Sequence, residues 1–187
     1  MSPKVFRVSV RGAEGFVGHL TSFFNVPAIF GAVPYQSRNY LGVDCAEVLV
    51  AAFYKWKGRP MRKDHCVQSL EHLLPKTVEF DMKKGKPHKR IAWGKSVRTG
   101  DFLAVRYAGR QRYQHIGAPF RDVNGNGILD EDDLILHAGP YPLHFSHLRE
   151  GNFDGHVVVL RPSVGHLESK QDNWLVHNVK ALWLRIR

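Results

Sequence analysis

The chain has 187 residues, 43% of them apolar, with four tryptophans and eleven phenylalanines, which is enough for one domain with a substantial core. No apolar run reaches the ~18 residues of a membrane-spanning helix, the first residues lack the pattern of a secretory signal, and two cysteines exclude a disulfide framework. A net charge of +10 indicates an anionic partner such as nucleic acid, an acidic membrane face or a cell-wall polymer.

Residues 1–32 mix glycine, proline and aromatic residues without sustained periodicity, which predicts an irregular N-terminal extension. Within this extension we expect a short strand at residues 4–10 and a short helix at residues 17–24. The remaining residues, 33–187, are expected to form a single domain.

Two amphipathic helices are predicted next. The first begins at Cys45, with Asp44 as its N-cap, and the sequence KGRP ends it. The second covers residues 64–74, with Asp64 as its cap and a proline directly after it. Since Cys66 falls on the apolar face of this second helix, we expect it to lie in the core. That face carries Cys66, Val67, Leu70, Leu73 and Leu74.

The basic segment KKGKPHKR, residues 83–90, is expected to be a solvated loop. After it, the chain changes to short segments that are rich in β-branched and aromatic residues and separated by Gly, Pro, Asn and Asp. Strands are predicted at residues 101–108, 113–120, 133–139, 155–162 and 180–187. Helices followed by a run of strands indicate an α+β fold with an antiparallel sheet.

Cys45 stands where a thiol can be activated. The N-terminus of a helix favours negative charge, because its unpaired N–H groups and the helix dipole stabilise an anion. From this position alone, Cys45 fits a small buried residue as well as it fits a nucleophile. A nucleophilic thiol also needs a histidine to take its proton and a third polar group to orient that histidine. The predicted strands supply His115 in QHIGAPF and His137 in LILHAG.

Four segments in this order resemble the NlpC-type cysteine peptidases, which cut peptides of bacterial cell walls. They are GVDCAEVLVAAFYKW, VRTGDFLAVRY, QHIGAPF and LILHAG, and the resemblance covers residues 33–162. It implies a papain-like α+β fold with Cys45 as nucleophile, His115 as general base and acid, and His137 as the third member of a triad. It also implies a periplasmic or extracellular hydrolase that cuts an amide bond in peptidoglycan stem peptides, as an endopeptidase or an amidase.

The sequence departs from that family's pattern beside the thiol. The Ser-Gly that follows the family's cysteine is Ala-Glu here, and we expect Glu47 to point away from the thiol or to bind substrate, since an inward carboxylate would oppose a thiolate. Either Tyr35 or Tyr40 takes the place of the family's tyrosine near the oxyanion position. The backbone N–H of Cys45 is a further oxyanion donor, and Asp44 beside it is a candidate for contact with substrate.

A second departure is the inserted sequence DVNGNGILDEDD, residues 122–133, between the two histidine segments. Its spacing is that of a calcium-binding loop, with Gly127 at the sharp turn, and it also resembles one repeat of a dockerin module. The predicted calcium ligands are Asp122, Asn124, Asn126, Ile128, Asp130 and Asp133. We expect a calcium-stapled hairpin that holds His115 and His137 in register, and no organic cofactor.

Other functions remain open. The same triad would suit another acyl substrate, such as a lipid or a protein amide, and a calcium-dependent binding module with an inert Cys45 is an alternative from a different class. A zinc site built from His144, His147 and His156 is not favoured, because no cysteine or acidic residue stands at a matching spacing.

The expected partner is peptidoglycan or another anionic cell-wall polymer, bound by a monomer. Nucleic-acid binding is not expected, because it rests on net charge alone. A location outside the cytoplasm follows from the family resemblance and from the calcium loop, while the sequence itself leaves a cytoplasmic location open.

Overall fold

The structure, a computed structural model, describes residues 9–168 and has helices packed on one face of a curled antiparallel sheet. The predicted α+β class is confirmed. The helices are α1 (Gly15–Thr21), α2 (Pro34–Arg38), α3 (Cys45–Trp56), α4 (Val67–Leu73) and α5 (Val164–Leu167). The strands are β1 (Lys76–Lys83), β2 (Lys86–Pro87), β3 (Phe102–Arg106), β4 (His115–Arg121), β5 (Leu134–His137), β6 (His144–His147) and β7 (Gly155–Leu160).

The sheet has the strand order β2-β1-β7-β3-β4-β5-β6, and its strand pairs are antiparallel. Strand β4 pairs with β3 through residues 115–117 and with β5 through residues 118–121. Because this one strand divides its length between two neighbours, the sheet curls at β4. Antiparallel pairing of Ala118 with Leu136 places the start of β4 beside the end of β5, so that His115 and His137 become neighbours.

Both faces of the sheet are buried. Phe102 and Ala104 of β3 face the helices, whereas Leu103 and Val105 face a second core. A strand that is buried on both faces reads as a continuous apolar run, which is why the sequence FLAVR shows no alternation. Segments outside the strands close this second core through Ile91, Val97, Leu129, Leu148 and Phe153.

Helix α3 confirms the first helix prediction, since it begins at Cys45 and has Asp44 as its N-cap. Residues 46–54 of this helix are all buried. Helix α1, which lies where a short helix was expected, packs against α3, with the rings of Phe16 and Phe53 at a centroid distance of 6.0 Å. The nucleophile candidate therefore stands at the end of a helix that the rest of the fold holds tightly.

The second helix differs from its prediction at its N-terminus. Helix α4 begins at Val67, with Cys66 rather than Asp64 as the N-cap residue. The prediction that Cys66 lies in the core is wrong, because the residue is exposed. At the N-cap its backbone is extended (φ −90°, ψ 166°), so its side chain does not join the apolar face that Val67 and Leu70 form.

Three strands were not predicted. In β1, the buried residues Phe80 and Met82 alternate with charged residues, and the charges mask the strand pattern in the sequence. The basic segment at residues 83–90 is not a simple solvated loop, because it forms the turn of a hairpin between β1 and the two-residue strand β2. Strand β6 has the sequence HFSH, in which Phe145 is the one apolar residue, and it lies at the edge of the sheet, where packing constrains its sequence little.

Four predicted strands are present as β3, β4, β5 and β7. The strand predicted at residues 180–187 lies outside the described residues, as does most of the one predicted at residues 4–10. Within residues 9–168, no helix combines the length and the apolar character that crossing a membrane requires.

Candidate active site

A cleft of about 390 Å³ brings Cys45 and His115 together. Cys45 is the first residue of α3 and is only partly exposed. His115 is the first residue of β4, and the backbone N–H of the next residue, Ile116, lies within hydrogen-bonding reach of the Cys45 thiol. Ile29 and Phe30 form one apolar wall of the cleft, and the 138–140 segment also lines it.

His115 is the first member of a hydrogen-bonded chain of side chains. Its Nε2 lies 2.9 Å from Nδ1 of His137, and Nε2 of His137 lies 2.8 Å from Oγ of Ser146. If His115 is to accept a proton at Nδ1, then its Nε2–H donates to His137, whose own Nε2–H donates to Ser146. The predicted pair of His115 and His137 is thereby joined by a hydrogen bond and extended by Ser146.

Close packing fixes the two imidazoles. A Cβ atom at Gly117, two residues after His115, would come within 2.9 Å of the Cβ of His137, so this position requires glycine. The ring of Phe153 lies 5.0 Å from that of His115 and 5.6 Å from that of His137, between ring centroids. Both histidines are buried, which leaves their rings little freedom to rotate.

The site holds its thiol and its imidazoles in their neutral forms. Burial, and then the charge of Asp44, raise the pKa of Cys45 to about 12. Burial lowers the pKa of His115 to about 4, with His144 adding to the effect, and it lowers the pKa of His137 to about 3. At neutral pH the structure therefore presents a thiol beside a neutral imidazole rather than a thiolate beside an imidazolium.

The expectation that the helix N-terminus lowers the pKa of Cys45 is wrong for this structure. Burial is the main reason. In addition, Oδ1 of Asp44 accepts the N–H groups of Ala46 (3.0 Å) and Glu47 (2.8 Å). The Asp44 carboxylate also brings negative charge next to the sulfur. The backbone N–H groups around the thiol favour the thiolate, but burial outweighs them.

Glu47 lies behind the cleft, where it cannot contact a ligand. Its side chain is fully buried, Oε2 accepts a hydrogen bond from Oγ of Ser37 (3.0 Å), and Oε1 accepts the backbone N–H of His65 (3.0 Å). Burial raises the pKa of Glu47 to about 8, and the neighbouring carboxyl of Asp64 adds to the shift. Of the two orientations expected for Glu47, the structure has the one that points away from the thiol. The alternative, in which Glu47 binds substrate, is not the one found.

The two tyrosine candidates lie away from the cleft, and neither is among its lining residues. Tyr40 packs its ring on Phe23, with centroids 4.6 Å apart, and its hydroxyl lies 3.3 Å from Oγ of Ser22. Tyr35 is exposed on α2. Asp44 does line the cleft, and burial raises the pKa of its carboxyl.

The inserted loop at residues 122–133 connects β4 directly to β5 and is organised around its own oxygen atoms. The carboxylate of Asp122 accepts the N–H groups of Gly125 and Gly127, each at 2.8 Å. Two amides, those of Asn124 (2.9 Å) and Asn126 (2.7 Å), converge on Oδ2 of Asp130. Calcium takes carboxylate and amide oxygens, whereas both amides here turn their NH2 groups to Asp130 and use their oxygens to accept the backbone N–H groups of Asn126 and Ile128.

The rest of the loop is anchored to the protein. Asp133 is fully buried, with its two oxygens accepting the N–H groups of Val123 (3.1 Å) and Asp130 (2.9 Å), and burial raises its pKa to about 6. Ile128 forms a bridge with Ala92 of the preceding connection. Across residues 9–168, no group of three or more His, Cys, Asp or Glu side chains is placed to hold a metal ion, and the convergent groups of this loop are mostly amides.

The three histidines considered for zinc have separate surroundings. The ring of His144 lies 4.4 Å from that of His137, between centroids. His147 donates from Nδ1 to the backbone carbonyl of Asp132, and Nδ1 of His156 lies 3.0 Å from the carboxylate of Asp81. The structure gives no support to a shared zinc site.

Ser146 is the residue of this site that sequence reasoning missed. It lies on β6, a strand whose mostly polar sequence lacks the apolar alternation that predicts a strand. The register that pairs β6 with β5 brings Ser146 within reach of His137. The site is therefore defined by its own geometry. No protein-family model, curated protein or solved structure matches the chain.

Proposed function

We propose that the protein is a papain-like cysteine hydrolase that cuts an amide bond in peptidoglycan stem peptides. The observation that carries this proposal is the hydrogen bond from His115 to His137, because His115 also lines the cleft that contains Cys45. A histidine held in one tautomer beside a thiol at the start of a helix is the arrangement that nucleophilic catalysis needs.

The mechanism starts from neutral groups. As the Cys45 sulfur attacks the substrate carbonyl, Nδ1 of His115 takes the thiol proton, and the backbone N–H of Cys45 donates to the developing oxyanion. His115 then gives its proton to the leaving amine, which departs and leaves a thioester on Cys45. Water attacks that thioester with His115 as the base, so the acid product is released and the thiol is restored.

His137 and Ser146 act through His115. Their hydrogen bonds keep the proton of His115 on Nε2 and leave Nδ1 as the acceptor. They also stabilise the imidazolium that forms when the thiol proton moves, because the chain of donors and acceptors is already in place. These two residues are positioning residues, since neither lines the cleft.

The substrate class rests on the family resemblance and on charge. The net charge of +10 suits an anionic wall polymer, and the resemblance of four segments around the site points to stem peptides. The same resemblance, with the calcium loop, places the proposed activity in the periplasm or outside the cell.

Calcium binding at residues 122–133 is part of this proposal. The oxygen groups of Asp122, Asn124, Asn126 and Asp130 would hold the ion, which would stiffen the connection between the strands that carry His115 and His137. The loop contacts its own protein through Asp133 and does not reach the cleft, so the role proposed for the ion is structural.

Digestion of purified peptidoglycan peptides tests the function. The protein should release new amino groups from these peptides, Cys45→Ala should abolish the release, and Cys66→Ala should leave it unchanged because that thiol is exposed and remote from the cleft. Activity on ester or protein amide substrates alone would favour another acyl substrate. Binding of wall polymers without any hydrolysis would favour the binding module with an inert Cys45.

A further inference from the structure

We propose that a groove beside the active-site cleft binds the free carboxylates of an acidic peptide, at a distance from the bond that is cut. This inference rests on the proposed function and specifies the substrate that the hydrolase would take. The groove has a volume of about 500 Å³, and we call it the strand-end groove. The residues that define it are Lys83, His88, Arg106, Tyr107, Arg110 and Asp154.

The strand-end groove is joined to the active-site cleft by one loop. It lies where β1, β3 and β7 come together, and Arg106 at the end of β3 pairs with His156 of β7 there. The loop after β3, residues 107–114, lines the groove at its beginning. Its last residue, Gln114, lines the cleft immediately before His115. A peptide that occupies the cleft therefore needs only to follow this loop to reach the groove.

Positive charge is concentrated around the groove. Three cationic side chains, Lys83, Arg106 and Arg110, line the groove. Within the described part of the chain, Lys83, Arg106 and Arg110 form no ion pair. Their charges are available to a ligand.

The two carboxylates in the groove are engaged by the protein itself. Asp81 lies 3.0 Å from Nδ1 of His156, and Oδ1 of Asp154 accepts the backbone N–H of Gly85 at 3.0 Å. These contacts fix the hairpin and the start of β7, so the carboxylates are structural. Both carboxylates are exposed and keep their charge, so the three cations Lys83, Arg106 and Arg110 leave the groove with a net positive charge.

Tyr107 links the groove to the active site. Burial raises the pKa of Tyr107, and the nearby Cys45 adds to the shift, so the hydroxyl stays protonated and can donate a hydrogen bond to an anion. Its ring is half-buried against the second core, and Tyr107 is the single Phe, Tyr or Trp among the residues that line the groove. Separate cations with a hydroxyl donor suit individual carboxylates better than a nucleic-acid strand, which needs stacking platforms.

Binding of short labelled peptides tests this inference without any need for turnover. The full-length Cys45→Ala protein is titrated with a triglutamate peptide and with the matching triglutamine peptide at about 0.15 M salt. The test variant carries Lys83→Gln and Arg110→Gln in addition. The control variant carries Lys95→Gln and Arg121→Gln, which remove the same charge from exposed positions at the opposite end of the sheet.

The triglutamate peptide should bind tighter than triglutamine, and the test variant should lose about tenfold in affinity for it, as two partly exposed charge contacts predict. The control variant should change by less than about twofold. Equal losses in both variants, or equal binding of both peptides, would overturn the inference. So would tighter binding of a single-stranded oligonucleotide that depends on Lys83 and Arg110.

The outcome is separable from the proposed function. Because Cys45→Ala cannot form a thioester, an inert Cys45 leaves these affinities unchanged. Conversely, replacement of Lys83 and Arg110 in the protein that retains Cys45 could leave the KM for acidic peptides unchanged. The hydrolase function would then stand, and the groove would have no part in substrate binding.

Discussion

At the scale of single residues, the site combines a buried thiol with a buried base. Cys45 sits at a helix N-terminus, but the N-cap Asp44 uses the nearby N–H groups and adds negative charge beside the sulfur. Since burial also lowers the pKa of His115, proton transfer has to accompany attack on the substrate rather than precede it. In the proposed mechanism, the shielded cleft then matters more than the helix dipole.

Removal of the Ser146 hydroxyl should weaken catalysis without weakening substrate binding. In Ser146→Ala, the Nε2–H of His137 loses its acceptor, so the tautomer that leaves His115 free to accept a proton is less favoured. We expect kcat to fall about tenfold, equivalent to about 1.4 kcal/mol, with KM unchanged. Steady-state kinetics and the ¹⁵N shifts of His137 measure both effects.

Ser146→Thr keeps a hydroxyl and should recover most of the activity. An unchanged kcat in Ser146→Ala, together with unchanged ¹⁵N shifts of His137, would show that Ser146 does not set the tautomer.

At the scale of elements, Glu47 joins three parts of the fold beneath the nucleophile. It lies on α3, accepts a hydrogen bond from Ser37 of α2 and another from the backbone of His65 in the segment before α4. Because the carboxyl is buried, its pKa rises to about 8. Ionisation of Glu47 therefore works against the folded state.

Glu47→Gln should become more stable relative to the wild type as the pH rises. In the unfolded chain the carboxyl ionises near pH 4.5, whereas in the folded protein it ionises near pH 8. The stabilisation that the protonated Glu47 carboxyl gives the folded state is thus fully present below pH 4.5 and is lost as the pH rises through 8. We expect the difference in the free energy of unfolding to grow by a few kcal/mol across this window, measured by urea unfolding at a series of pH values.

Glutamine can donate to Ser37 and still accept from His65, so the amide keeps the local contacts. A difference in stability that stays constant between pH 4.5 and 8 would contradict the raised pKa of Glu47.

The loop between β4 and β5 is the second element with a measurable role. If it binds calcium, the ion stabilises the folded state by about 2.7 kcal/mol at a concentration of 100 times its Kd. Addition of calcium should raise Tm and chelation should lower both Tm and activity, while Asp130→Asn should remove the response. Magnesium at the same concentration is the control. A Tm that is independent of calcium up to millimolar concentrations would show that the loop does not bind the ion.

At the scale of the whole molecule, the sequence predicted the elements that pack in a regular pattern. Helix α3 was predicted with its cap, and four strands were found, because apolar periodicity and turn residues marked them. Strand β1 was missed because charged side chains occupy its exposed positions, and β6 was missed because its four residues include a single apolar one, Phe145. His115 and His137 were identified from their segments, whereas Ser146 depends on strand register.

The pKa of Cys45 shows what a linear pattern cannot contain. Its position at a helix start predicted a lowered pKa, but burial against the core on the helix side of the sheet, the cleft walls and Asp44 together reverse the direction. Burial arises from segments far apart in the chain, so only the assembled structure carries this information.

The most informative measurement is the rate at which an activated ester acylates Cys45, followed from pH 5 to pH 9 in the wild type and in His115→Ala. It tests whether neutral His115 acts as the base for Cys45. With His115 as a neutral base of pKa about 4, the wild-type rate should already be level at pH 5 and stay level. His115→Ala should be slower by a factor of about 100 or more at pH 7. A rate that rises about tenfold per pH unit in both proteins, as expected for an unassisted thiol of pKa about 12, would contradict the account.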